Sequence, residues 1–293
     1  MPSNPPTDPA TDSRQLYLDL LKKALTDWLH VESDYASGMP SEFWWPKSWL
    51  KELRNRLLIK YLHRGHMLVL RHDRLSVAER RARREKGLDW PFNADTMIGL
   101  KRLDNLQALI ETVLKDKVPG DLIETGVWRG GATIFMRGVL KAHAATDRLV
   151  WVCDSFEGLP PPEPDKYPAD AGDPHHTFRF LAVSQEQVER NFARYGLLDD
   201  RVRFVKGFFQ DTLAHVPARA FALLRLDGDM YGSTIVALDA LYDRLSPGGF
   251  VIIDDYHLKG CRQAVHDFRD RRGIVDAIVD IDGQGAYWRK TAA

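Results

Sequence analysis

The stretch Asp121-Leu-Ile-Glu-Thr-Gly-Val-Trp-Arg-Gly-Gly131 decides the reading of the fold. An apolar run ends in an acid, a glycine-rich turn follows, and a helix-forming segment continues to residue 141. Gly126 permits the tight turn, Gly130 and Gly131 let backbone approach a ligand, and the helix start offers N–H donors to an anion. The same texture recurs downstream. Residues 149–153 read as a second strand ending at Asp154 and 202–205 as a third. Residues 222–226 give a fourth, ending at Asp227, and 250–253 a fifth, ending at Asp254-Asp255. Helices are expected through Val188 and Phe192, through Leu238 and Leu241, and over 260–271. A turn is expected at Ser246-Pro-Gly-Gly249, and final strands between 274 and 287. Near-continuous apolar strands separated by helices predict an α/β fold: a mostly parallel sheet covered on both faces, with its ligand crevice at the carboxyl ends of the strands.

Upstream of residue 118 the texture is helical. Leu16, Leu20, Leu21, Ala24, Trp28 and Leu29 recur at helical spacing, and a second helical pattern passes through Leu57, Leu58 and Tyr61. Trp44, Trp45 and Trp49 read as core packing, with an acceptor pocket as the alternative. Residues 71–86 are rich in arginine. Interleaved Asp73, Glu79 and Glu85 favour a solvated helix face over a nucleic-acid surface. A further helix is expected over 93–113. The division expected is a disordered, Pro-rich leader over 1–14, a helical lid or dimerisation region over 15–92, and the core domain over 93–293.

Lys+Arg and Asp+Glu both number 41, so no global field draws the chain to nucleic acid or an anionic membrane. The two cysteines, Cys153 and Cys261, share no metal-ligand spacing. Without a signal peptide or a membrane-length apolar run, a reduced, cytoplasmic protein is expected.

At the glycine-rich end, Asp154 ends the next strand, where an acid grips ribose hydroxyls, but lies further from Gly126 than the dinucleotide fingerprint allows. An acid on the first strand, Glu124, repels a second anion and attracts an ammonium, which favours S-adenosylmethionine over NAD. Phe208 or Phe209 could pack on adenine and Gln210-Asp211 could meet its amine; packing of both rings in the core is an equal alternative.

The strongest signal is acidic. Asp227, Asp254 and Asp255 end two strands, and neighbouring strand ends lie about 4.8 Å apart. Carboxylates so placed repel one another unless a cation neutralises them, and an all-oxygen set suits Mg²⁺, with Mn²⁺ or Ca²⁺ as alternatives. Such an ion lowers the pKa of a bound hydroxyl, and Asp229, two residues past Asp227, is the candidate base. Asp227 thus serves both metal and catalysis. His257 reads as a base, an extra ligand or a surface residue. His175-His176 lacks partners at zinc spacing.

These residues resemble the macrocin O-methyltransferase-like family, which methylates deoxysugar hydroxyls. The resemblance runs through Thr96-Met-Ile-Gly99, Arg102-Leu-Asp-Asn-Leu106, Glu124-Thr-Gly-Val-Trp-Arg-Gly-Gly-Ala132, Asp154-Ser-Phe-Glu-Gly-Leu-Pro160, Asn191-Phe192, Leu226-Asp-Gly-Asp-Met-Tyr231 and Asp254-Asp-Tyr256. It implies a Rossmann-like class I methyltransferase fold, S-adenosylmethionine and Mg²⁺ as cofactors, and a small glycosylated acceptor. It matches Asp227, Asp254 and Asp255 to metal ligands, Asp229 to the base, Thr96 and Met97 to a loop over the methionine end, and Ser155 to the cofactor motif after strand two. It also implies a homo-oligomer and a lid built from the N-terminal helices and the loop after strand two. A catechol-type methyltransferase and a catalytically silent cofactor-binding protein are the rival expectations, with a dehydrogenase behind them.

Overall fold

The computed structural model describes residues 9–32 and 75–291. Among them, seven strands form one sheet in the order β3-β2-β1-β4-β5-β7-β6. The strands are β1 (Asp121–Thr125), β2 (Val150–Asp154), β3 (Val202–Lys206), β4 (Phe221–Leu226), β5 (Leu245–Ile253), β6 (Val279–Asp280) and β7 (Ala286–Arg289). The first five are parallel, while β7 runs antiparallel between β5 and β6. The chain builds outward from β1 to β3, then returns to place β4 on the other side of β1. At that switch point the loops leaving β1 and β4 diverge and open a crevice.

Alternate strand residues face opposite layers. Leu122, Val150, Val152, Leu223 and Ile252 join one cluster, beneath α3 (Leu100–Lys115), α4 (Gly131–Ala142) and α5 (Gln185–Arg194). Ile123, Trp151, Leu224, Val251 and Ile253 join the other, beneath α7 (Tyr231–Leu241) and α8 (Lys259–Arg272). The remaining helices are α1 (Pro9–Leu25), α2 (Val77–Glu85) and the short α6 (Phe209–Thr212).

Several local expectations change. Helix α1 begins at Pro9, inside the segment read as a leader. Its Leu18, Leu21 and Leu25 belong to the same core cluster as α3 and α4, so this helix is built into the domain. Helix α3 begins at Leu100, leaving 93–99 as a loop free to reach the crevice. The Ser246-Pro-Gly-Gly249 segment lies within β5, where the ladder to β4 shifts register between Phe221 and Leu223. Backbone bonds with Lys290, 2.7 Å from Gly248 N–H and 2.8 Å to Gly249 carbonyl, keep that bulge paired. In α2, Arg80 and Arg84 are buried instead of solvated. Arg84 donates to the Asp27 carbonyl at 2.6 Å and pairs with Asp89, and Arg80 donates to the Val31 carbonyl at 3.0 Å, joining α2 to the end of α1. Trp44, Trp45, Trp49 and the helix through Leu57 lie outside the described residues.

Candidate active site

A cavity of about 280 Å³ opens where β1, β2, β4 and β5 end. Thr96, Met97, Glu124, Gly126, Asp154, Ser155, Phe208, Asp227, Asp229, Asp254 and Asp255 all line it, from segments up to 159 positions apart. Gly130 and Asp211 do not. Gly130 sits at the head of α4 with a φ of 86°, and a side chain there would meet Val188 at 2.7 Å. Its small size therefore accommodates α5, not a ligand. A side chain on Gly131 would likewise meet the carbonyl of Asp95 and the side chain of Thr96, so this glycine admits the 93–99 loop. Asp211 is exposed on α6, and its neighbour Gln210 lines the cavity.

Gly126 has a φ of 80°, and a methyl group there would overlap the carbonyl oxygen of Asp227. The glycine turn after β1 thus makes room for the acidic strand end of β4. Asp154 Oδ2 accepts from Val127 N–H and Oδ1 from Phe156 N–H, both at 2.7 Å, which ties the turns after β1 and β2 together. The carboxylate also lines the cavity, where it can accept from a ligand hydroxyl. Ser155 shapes the following turn, donating to the Gly158 carbonyl at 2.6 Å.

The acidic end holds two arginines that carried no role in the sequence. Glu124 and Arg225 sit directly opposite one another in the β1–β4 ladder, so their side chains meet as a buried ion pair. The same guanidinium reaches Asp227 at 3.0 Å and Asp254 at 2.6 Å. Arg102, from α3, holds the other oxygen of Asp254 at 2.7 Å. Arg225 thus engages Glu124 Oε1, while Glu124 Oε2 has no hydrogen-bond partner among the described residues and the side chain lines the cavity. The signal was present: Arg225 interrupts an otherwise apolar strand, and a buried charge requires partners.

Of the five acids at these strand ends, Glu124, Asp227 and Asp254 pair with Arg225 or Arg102, Asp229 and Asp255 pair with neither, and Arg102 is shared with Asp282 at 3.1 Å. Burial pushes Glu124 up to about 7, because Arg225 is shared among three carboxylates. Burial also tends to raise Asp254, but Arg102 and Arg225 outweigh it and hold that carboxyl below the usual range. Asp255 rises to about 8 through burial and the charges of Asp229 and Asp254. Asp229 also rises to about 8, through burial and then Asp227 and Asp173. Asp227 is raised well above its ordinary value by burial, Asp255 and Asp254. Asp227, Asp254 and Asp255 each offer a carboxylate oxygen, all within 4.8 Å of one another. Arg102 and Arg225 compensate this all-oxygen cluster only in part, since neither pairs with Asp255, and such a cluster fits a divalent cation.

Aromatic residues form another part of the wall. Trp90, Trp128, Phe178 and Phe180 line the cavity, with Phe178 stacked on Phe180 at 5.8 Å. Trp128 N–H donates to the Phe180 carbonyl at 2.9 Å, holding the loop after β2 against the glycine turn. His175 lies on the same loop, its Nδ1 2.8 Å from Asp173. His257 lies at the cavity rim, where partial desolvation of its ring lowers its pKa.

Residues 14–290 match the sequence profile of the family described as Macrocin-O-methyltransferase (TylF). The chain belongs to the macrocin O-methyltransferase family. It is 50% identical over 287 residues to the 8-demethyl-8-(2,3-dimethoxy-alpha-L-rhamnosyl)-tetracenomycin-C 4'-O-methyltransferase of Streptomyces olivaceus, covering 96% of this chain and 95% of that protein. It is 46% identical over 281 residues to the mycinamicin III 3''-O-methyltransferase of Micromonospora griseorubida, covering 95% and 97%. The solved structure of the O-methyltransferase NovP superposes with a TM-score of 0.78 at 40% identity, over 95% of this chain and 100% of that one. The macrocin O-methyltransferase fold is thus the class I, Rossmann-like one, and the enzyme is an S-adenosylmethionine-dependent O-methyltransferase.

Proposed function

We propose that this enzyme methylates a hydroxyl on the deoxysugar of a glycosylated natural product, with Mg²⁺ held by Asp227, Asp254 and Asp255. The observation that carries the reading is the acidic cluster in the wall of the cavity that also contains Gly126, Asp154, Thr96 and Met97. Thr96, Met97, Gly126, Asp154, Ser155 and Phe208 would hold the cofactor. When bound, S-adenosylmethionine supplies an electrophilic methyl group and the cation makes a coordinated hydroxyl more acidic. With a cation neutralising the neighbouring carboxylates, Asp229 would be ionised and would accept the proton of the acceptor hydroxyl. The residues around it orient the acceptor for in-line transfer, so much of the rate enhancement is positional. The relatives' acceptors, a rhamnosylated tetracenomycin and mycinamicin III, support a glycoside over a free catechol. The former carries methoxy groups at positions 2 and 3 and is methylated at 4', so the oxygen beside the reacting hydroxyl need not itself be a free hydroxyl. Two buried, unpaired cysteines are in keeping with a reducing cytoplasm.

The test is S-adenosylhomocysteine release with those two glycosides and with catechol, with Mg²⁺ or with EDTA. Mg²⁺-dependent turnover of a glycoside is expected, and Asp229→Asn should reduce it about 10²- to 10⁴-fold, the range for losing a general base. Undiminished turnover in EDTA removes the metal from the reading; turnover of catechol alone replaces the acceptor.

A further inference from the structure

Helix α7 begins without a side-chain cap of its own: Met230 occupies the capping position. The first amides of a helix have no intrahelical acceptor, and buried ones need partners. One carboxylate from 61 positions earlier in the chain takes two of them. Asp170 Oδ1 accepts from Tyr231 N–H at 2.7 Å, and Oδ2 accepts from Gly232 N–H at 2.8 Å. Asp170 is 3% exposed and ends the 3-10 turn Pro168–Asp170 in the loop after β2. The fit is close. A side chain on Gly232 would strike the Tyr167 ring at 2.6 Å and approach Asp170 Oδ2 at 3.1 Å. Tyr167 also packs on Tyr231, with ring centroids 5.8 Å apart.

The capped helix continues directly from the turn that carries Asp229. Asp229 has a φ of 55°, a left-handed conformation that non-glycine residues hold only when neighbours enforce it. Asp255 enforces it from one side, accepting from Asp229 N–H at 3.0 Å. On the helix side, Asp170 fixes the amides two and three residues further on. The same loop then delivers the acceptor wall: Asp173 N–H donates to the Asp170 carbonyl at 3.0 Å, and the Asp173 side chain holds His175.

We propose that Asp170 is a positioning residue that locks the loop after β2 to the head of α7, so that one carboxylate sets both Asp229 and the cavity wall bearing His175. The role rests on the reading of Asp229 as the proton acceptor. Asp170 touches no reacting atom; it acts through the α7 amides. Loop docking and placement of the base become a single event.

The experiment compares the full-length wild type with Asp170→Ala and with Asp170→Asn, which keeps one acceptor oxygen. Hydrogen exchange of a peptide spanning 227–235 is read without any ligand. S-adenosylmethionine affinity is measured by calorimetry, and kcat and KM with whichever of the two glycosides the wild type turns over. Asp170→Ala should speed exchange in that peptide at least ~10-fold and reduce kcat by about 10- to 100-fold, the scale of a 1 Å misplacement. Cofactor affinity should stay within about threefold, and Asp170→Asn should recover part of kcat if the lost carboxylate acts through geometry. Unchanged exchange, a kcat within about twofold of wild type, or a cofactor affinity lost in proportion to kcat overturns the proposal. Should Asp170→Ala not fold, the same three readouts on Asp170→Asn decide. Full activity of Asp229→Asn would instead sink the base assignment and leave the exchange result standing.

Discussion

Replacing Arg225 with Met removes a guanidinium whose side chain is 3% exposed and which contacts Glu124, Asp227 and Asp254. Methionine fills similar volume, so the loss is electrostatic. Removing one member of a buried ion pair costs about 3–5 kcal/mol, because the remaining charge stays buried without its partner. For a domain of this size each kcal/mol lowers Tm by about 2–4 °C, so a fall of roughly 10 °C is expected. Arg137→Met is the control. Its single carboxylate partner, Asp199, has a side chain 29% exposed, so the charge left behind is partly solvated and the loss should be smaller than for Arg225→Met. Circular-dichroism melts at neutral pH without divalent ions give the comparison. Adding Glu124→Gln to Arg225→Met replaces one of the carboxyls left without its partner and should recover part of the lost stability; non-additivity measures the coupling. If Arg225→Met melts within about 2 °C of wild type, far inside the cost of an orphaned buried charge, the account of the strand-end cluster is wrong.

Gly126→Ala and Gly172→Ala form a matched pair, with φ of 80° and 79°. Only the first meets the Asp227 carbonyl, and nothing lies within 4 Å of the second. Gly172→Ala should lose only about 1–2 kcal/mol, the left-handed backbone cost, while Gly126→Ala should lose more and also weaken cofactor binding; equal melts would refute this. Phe178→Ala should raise KM for the glycoside and leave S-adenosylmethionine affinity unchanged; the reverse pattern in steady-state kinetics and calorimetry would assign the aromatic wall to the cofactor. Arg137, through its hydrogen bond to the Asp199 side chain, holds that carboxyl below its ordinary value of 3.8. A depressed folded-state pKa contributes stability that is full above the unfolded value and is lost as pH falls through the folded one. Arg137→Met should therefore flatten the acid limb of stability below about pH 4, read by urea unfolding across pH; an unchanged limb counts against the pair.

The sheet was legible because its signals are local. Apolar runs bounded by glycine and acid gave β1 to β5 to within a few residues, apart from the bulged start of β5. The acids that end β4 and β5 were legible as strand ends, but that the two strands are neighbours is decided by the sheet order. Errors arose where a local signal was overruled by a distant partner. Gly130 and Gly131 read as ligand-facing, yet α5 and the 93–99 loop fill their space. Helical periodicity ran on from 93, but the helix begins at Leu100 and the preceding loop carries Thr96 and Met97 to the cavity.

By itself the sequence determined the strand–helix alternation, a crevice at the carboxyl ends of the strands and the acids that end them, because periodicity and strand ends are properties of contiguous residues. Tertiary structure alone decided how those acids are charged and held. Arg102 reaches them from α3 and Arg225 from β4, while Asp170, from the loop after β2, caps the helix that follows Asp229. Burial and cross-strand pairing, which give these side chains their effect, exist only once the chain is folded.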